Sequence, residues 1–244
     1  ADYPVPGLKE TGFITSDDIL EMREAPESII VLGAGAVAVE LAQFLLRIGV
    51  KVTLLQRSPH ILSKGDEDLA QPVEHQFRQE GMDLFTGTKI LRTEKQQKNS
   101  AVYFQHEGEE KRVCAQVILQ ALGRRPNSDG LDLEAAGIET QQGRINVDAK
   151  MKTNQPHIFA VGDVNGIHEV VHIAILQGEV AGYNAVHPEN ERQVDDRLKS
   201  SVVFTDPAVA SVGLSEKECQ AGNIAYLVAS YPFDDHGKSM CLGE

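Results

Sequence analysis

Cysteine is scarce in this chain: Cys114, Cys219 and Cys241 are the whole complement of 244 residues. Thiols so few and so far apart exclude a disulfide framework, and none forms a C-x-x-C pair. That usage points to a reducing, cytoplasmic setting. Positive charge is also short, with 23 basic residues against 36 acidic ones and a formal net charge of -13. Such a balance argues against a general nucleic-acid or anionic-membrane surface, so any anionic ligand must be held by local geometry. Long apolar runs are missing too. The longest, Ile29 to Val39, stops at Glu40, well short of the ~20 residues a membrane-spanning helix needs. No basic and apolar signal segment is read at the N-terminus, and the histidines are scattered without metal-ligand spacing, so no metal site is expected.

What is present reads as globular protein, long enough for one large or two small domains. The opening "ADYPVPGLKETG" reads as a linker,. In "TSDDIL", Thr15 or Ser16 offers an N-cap ahead of acidic residues, which predicts a short helix,. Ser28 to Leu32 reads as a buried strand, Ala36 to Ile48 as a helix ended by Gly49, and "KVTLL" as a second strand,. Strand, glycine turn, helix and strand in that order make a βαβ unit of a parallel sheet. A polar helix from about Asp66 to Glu80 and a strand in "MDLFTG" follow. Between Lys89 and Leu119 the period shifts toward two, which predicts an antiparallel meander packed on the parallel sheet,. "GIETQQGRINV" reads as two extended runs around a turn, "HIFAVGDV" as an apolar strand ending at Gly162 and Asp163, and Val171 to Val186 as a helix. "HPENERQVDDRLKS" reads as an interdomain linker, and "SVVFTDPAVASVG" opens a new β-rich unit,.

Gly33, Gly35 and Ala38 form G-x-G-x-x-A between the first strand and its helix. Gly33 serves the tight turn, Gly35 lets the backbone approach a pyrophosphate, and Ala38 lets helix and strand pack closely. Ala36 and Val37 begin the helix, whose N-terminus offers N–H groups and a positive dipole end to phosphate,. A glycine turn used only for packing is the rival reading, and the correct flanking elements weaken it. About 20 residues on, an acidic side chain would bind the 2′-hydroxyl of NAD. Gln56 and Arg57 stand there instead. A neutral amide removes repulsion and a guanidinium can bond a 2′-phosphate, so the pair favours NADP over NAD.

Four ordered blocks, "GAGAVAVELA", "ALGRRPN", "IFAVGDV" and "VVFTDPAVASVGLSE", resemble the pyridine nucleotide–disulfide oxidoreductases, flavoproteins that include dihydrolipoamide dehydrogenase, glutathione reductase and mercuric reductase. The resemblance implies that Glu40 lies near the contact of nicotinamide and flavin. It implies also that Gly123 and Arg124 lie against the bound nucleotide, with Arg125 at the surface. Asp163, after Gly162, matches the aspartate that accepts hydrogen bonds from the ribityl chain of FAD. "VVHIA" resembles the "LAHKA" of dihydrolipoamide dehydrogenases, which places the Val171 N–H at a helix N-terminus beside the flavin, with His172 in a packing or orienting role. Ala36 departs from the tyrosine that gates the nicotinamide pocket in some members.

The family also carries an N-terminal G-x-G-x-x-G for FAD, a C-x-x-x-x-C pair and a His and Glu pair in its interface domain, none of which is found here. The resemblance therefore implies a fragment with no catalytic residue of its own, inactive alone, whose parent is a homodimer using FAD. The expected organisation is a linker and NAD(P)-binding domain at 1–126, the later part of a FAD-binding domain at 127–196, and the start of an interface domain at 197–244. The fold class expected is α/β: a Rossmann-type parallel sheet with an antiparallel meander, a partial flavin-domain segment and the opening of an α+β unit. The rival readings are a flavin-free NAD(P)-dependent dehydrogenase, for which no proton-transfer residue stands out, and a nucleotide-sensing interaction module.

Overall fold

The computed structural model describes residues 4–195, 197, 199–233 and 236–242. Its centre is a parallel sheet of β1 (Ser28–Leu32), β2 (Lys51–Leu55), β3 (Asp83–Phe85) and β7 (Val117–Gln120) in the order β3-β2-β1-β7. β1 is inner, and Ile29 to Leu32 are apolar and buried on both faces, as a strand covered on either side must be. Helix α3 (Ala36–Arg47) returns the chain from β1 to β2, and Gly49, at φ 94°, ends it in the left-handed region,. Helix α4 (Glu67–Gln79) lies on the same face. Its Ala70, Val73 and Phe77 join Ala38, Ala42 and Leu45 of α3 against Ile29, Val31, Val52 and Leu54.

The other face carries the meander: β4 (Lys89–Gln96), β5 (Asn99–His106) and β6 (Glu109–Ala115), antiparallel in sequence order. Val102, Phe104 and Ala115 meet Ile30, Leu32, Leu55 and Ile118, a second core between the two sheets. "KRVCAQVIL", one extended run in the sequence, divides at Gln116. Its Oε1 accepts the Glu27 N–H at 2.8 Å and its N–H donates to Ser28 Oγ at 3.1 Å, so the chain leaves the meander and joins β1 as parallel β7.

The N-terminal segment is no free linker, contrary to the expectation for it. Among its described residues, Leu8 in α1 (Leu8–Thr11) is buried in the second core, Pro6 O accepts the Thr93 N–H at 2.9 Å, and Thr11 Oγ1 meets Thr93 Oγ1 at 3.0 Å. One apolar anchor, a backbone hydrogen bond and a hydroxyl pair outweigh the local turn chemistry of its prolines and glycines. Thr15 precedes α2 (Ser16–Glu21), and its N–H and hydroxyl both donate to Asp18,.

Beyond β7, β8 (Thr140–Gln141) and β9 (Arg144–Ile145) form the small hairpin expected. The expected strand at 157–161 is corrected: it makes one isolated bridge, Lys152 with Phe159, and then a 3₁₀ turn at Gly162–Asn165. Apolar character marks a segment for burial, but a ladder requires a neighbour along its length. Helix α5 (Val171–Val186) follows as expected. The polar stretch after it, expected as a linker, is tied down at its described residues, and Asp196 and Leu198 lie outside them. Asn184 bonds the backbone of Arg192 in both directions, Val194 N–H donates to Ala149 O at 2.8 Å, and Glu191 bridges Lys150 and Lys152. β10 (Ser200–Val203) and β11 (Val209–Val212) close an antiparallel pair.

The chain divides into two compact units, Ala1–Gly213 and Leu214–Glu244. The second holds α6 (Glu216–Ala221), capped by Ser215 and Glu218 in a reciprocal box, and α7 (Gly237–Leu242). No helix among the described residues is long and apolar enough to cross a membrane.

Candidate functional site

The glycine turn leaves the carboxyl end of β1. Gly33 has φ 99°, and a Cβ there would lie 2.5 Å from Ala121 O, so both conformation and contact require glycine. Gly35 differs. It is the N-cap of α3 in extended conformation (φ -75°), and a Cβ would meet nothing within 4 Å. The space above it is open. Val39 N–H makes the bond to Gly35 O, so the preceding N–H groups of Ala36, Val37 and Ala38 have no intrahelical acceptor, and the N-cap, Gly35, has no side chain to offer them,. Ala36 and Val37 are exposed while Ala38 is buried against the sheet. The first turn of α3 therefore presents backbone donors to solvent from a rigid base.

The carboxyl ends of the neighbouring strands surround this turn. At the end of β2, Gln56 is buried. Its backbone is locked by Phe85 O and the Thr88 N–H, and its Oε1 accepts the Arg57 N–H at 3.1 Å. Arg57 is exposed. After β7, Ala121 N–H donates to Leu32 O, which carries the exposed Gly123 (φ 117°) and Arg124 alongside the Gly33 turn. Arg125 pairs instead with Asp129 at 2.9 Å. The structure thus brings the Gly33 turn and the Gly123 turn together through Ala121.

Glu40 lies one turn into α3, half-buried, and its Oε1 accepts the Phe204 N–H at 2.8 Å. Gln43, on the same face, accepts the Asp206 N–H and donates to Asp206 O, each at 2.8 Å. Arg47 reaches both Asp206 and Glu80. The Glu80 carboxyl is held below its ordinary value, chiefly by the Arg47 hydrogen bond, and the same contact pushes the Arg47 guanidinium up,.

A second group forms around α5. Gly162 (φ 72°) starts the 3₁₀ turn, where a Cβ would sit 3.2 Å from Ala174 Cβ. Its N–H donates at 2.7 Å to Oε1 of Gln177, which also takes the Asn165 amide at 2.9 Å. This turn holds Asp163 exposed at the surface, and Val171 begins α5 with no side-chain cap. His172 Nε2 contacts Ser200 O at 2.9 Å and Ser200 Oγ at 3.0 Å. β10 is therefore tied to α5 at one end and, through Phe204 and Asp206, to α3 at the other. Gln43 and Gln177 escaped the sequence reading. Each is a polar residue at a core-facing helical position, the one signal that marks it. Among the described residues, no group of His, Cys, Asp and Glu has the arrangement of a metal site.

A parallel sheet with an open glycine turn at a helix N-terminus, covered by a meander and followed by a second glycine turn before a long helix, defines an α/β protein with Rossmann-type topology. The chain belongs to the pyridine nucleotide-disulphide oxidoreductase family, whose model matches residues 1–178, and the dimerisation-domain model of that family matches residues 199–244. It is 34% identical over 242 residues to a dihydrolipoyl dehydrogenase of Mycobacterium leprae, covering 98% of this chain and 52% of that protein. It is 31% identical over 231 residues to a mercuric reductase of Staphylococcus aureus, covering 94% of this chain and 42% of that protein. Among solved structures, the HOCl-induced flavoprotein disulfide reductase RclA from Escherichia coli matches with a TM-score of 0.85 at 26% identity, over 100% of this chain and 56% of that one. The chain thus spans about half the length of the relatives it matches.

Proposed function

We propose that this chain binds a nicotinamide dinucleotide across the first turn of α3 and supplies the nicotinamide half of a FAD-dependent oxidoreductase. The observation that carries the reading is the contrast between the two glycines: Gly33 is walled in by Ala121 O, whereas Gly35 faces open space. A packing turn needs the first and not the second. Pyrophosphate fits there because the N–H groups of Ala36, Val37 and Ala38 point out of the helix, which lets a chain of net charge -13 hold an anion,. Gly123 and Arg124 border the same opening. Glu40, an acceptor with one oxygen already on Phe204, suits the carboxamide of nicotinamide, a donor.

Gln56 is neutral and Arg57 is exposed at the strand end, which supports NADPH over NADH. Asp163 and the uncapped first turn of α5 fit one side of a flavin site, the carboxylate for the ribityl hydroxyls and the Val171 N–H for the ring,. Bound FAD would accept hydride from the nicotinamide. This chain's part is to hold and orient the donor ring, and alone it does not turn over. The dimerisation match at 199–244 supports a homodimer for the parent, and the three free thiols suit a cytoplasmic setting,.

Calorimetric titration with NADPH and NADH, with the visible spectrum of the same sample, tests the reading. Binding of one reduced nucleotide without flavin absorption supports it. Absence of binding to either overturns it, and steady reduction of a disulfide by the chain alone overturns its inactivity.

A further inference from the structure

We infer that Gln43 is a positioning residue: by clamping the backbone of Asp206 it holds the Phe204 N–H on Glu40, and so sets the carboxylate that receives the nicotinamide ring. The inference rests on the proposed nucleotide site and goes beyond it, because it assigns the orientation of Glu40 to a segment more than a hundred and fifty residues away, in the region that matches the dimerisation model.

The geometry is specific. Gln43 is buried, at 4% exposure, and meets Asp206 with both ends of its amide, Oε1 on the N–H and Nε2 on the carbonyl, each at 2.8 Å. A planar amide bonded to both backbone groups of one residue fixes its position and orientation together, as a strand partner would. Two residues earlier, the Phe204 N–H donates to Glu40 Oε1 at 2.8 Å. Glu40 and Gln43 are i and i+3 on α3 and share a face, so the clamp and the carboxylate ride on one rigid base. Arg47, one turn further, bonds the Asp206 carboxylate at 2.7 Å and is itself braced by Glu80. Val203 and Val209 pack on the core beneath, keeping the β10 end in reach.

The consequence is chemical. A glutamate on a helix surface samples several rotamers, whereas one oxygen fixed by a backbone N–H leaves the other in a defined direction. That oxygen is the acceptor a carboxamide requires. Removal of the Gln43 amide would orphan the N–H and carbonyl of Asp206, release Phe204 and free Glu40 to rotate. The adenine and pyrophosphate contacts, at Gly35 and Arg57, involve none of these atoms.

The test uses the whole chain with two probes, NADPH and 2′-phospho-ADP-ribose, which share everything but the ring. In the unaltered chain NADPH binds more tightly and slows amide exchange at Phe204, whereas 2′-phospho-ADP-ribose leaves that amide unchanged. Gln43→Leu keeps the affinity for 2′-phospho-ADP-ribose within about twofold and weakens NADPH by about tenfold. If the unaltered chain binds neither probe nor NADH, the proposed nucleotide site fails and the inference with it; if it binds NADH alone, NADH and ADP-ribose take the place of the two probes. If it binds both equally, or Phe204 exchange does not distinguish them, the inference alone is overturned. It is overturned as well if Gln43→Leu, shown folded by its thermal melt, loses both probes alike or neither. The exchange measurement on the unaltered chain decides the matter even where the variant folds poorly.

Discussion

Oε1 of Gln177 takes two hydrogen bonds at once, from the Gly162 N–H at 2.7 Å and the Asn165 amide at 2.9 Å. One fully buried side chain on α5 thereby fixes both ends of the turn that presents Asp163. Its Nε2 has no partner among the described residues, so the position uses its acceptor. Gln177→Leu is expected to cost about 1–3 kcal/mol, since it leaves a buried N–H unpaired. The measurement is thermal unfolding together with amide exchange over 162–166, where protection should fall more than elsewhere in the chain.

The two glycines of the α3 turn should separate stability from binding. Gly33→Ala meets Ala121 O and a backbone at φ 99°, and is expected to destabilise by about 1–3 kcal/mol. Gly35→Ala meets open space and should change stability by no more than about 0.5 kcal/mol, while its methyl group obstructs pyrophosphate and lowers nucleotide affinity about tenfold or more. Calorimetry and thermal melts on the same samples give both numbers.

Arg57→Ala should weaken NADPH by about tenfold or more, the worth of a charge-assisted bond to phosphate, and leave NADH within about twofold. Equal effects on the two nucleotides would remove Arg57 from the discrimination. The buried Gln56 is less suited to this test, because its Oε1 already serves the Arg57 N–H.

Glu80 predicts a pH dependence. Its carboxyl is lowered from 4.5, first by the Arg47 hydrogen bond and then by those of Gln76 and Gln43. A depressed carboxylate contributes stability that is present above its unfolded value and disappears as pH falls through the folded one. The difference in melting temperature between the unaltered chain and Glu80→Gln should therefore be constant from pH 7 to pH 5.5 and shrink below about 4.5. A difference that grows on acidification would contradict the assignment. Added salt should reduce it as well, because Arg47 is partly exposed,.

Where local chemistry suffices, the sequence by itself determined the outcome. Ser28–Leu32, the Gly33 turn, α3 and β2 lie where apolar period and glycine place them, and α5 spans Val171 to Val186 as read. Such elements are written in neighbouring residues, since a helix face and a left-handed glycine are decided within a few positions. Tertiary structure decided the rest. Only the capture of Glu27 and Ser28 by Gln116 divides the meander from β7, and only a lack of ladder partners keeps 157–161 from being a strand. The anchors of Leu8 and Thr11 turn a linker-like composition into a packed segment. The positions of Gly33, Gly35 and Arg57 at the strand ends were legible from spacing, whereas the bonds of Glu40 to Phe204 and of Gln43 to Asp206 join positions 164 and 163 residues apart. A hydrogen bond depends on distance and angle to a partner. Once that partner is far along the chain, only the folded path of the backbone can bring the two together.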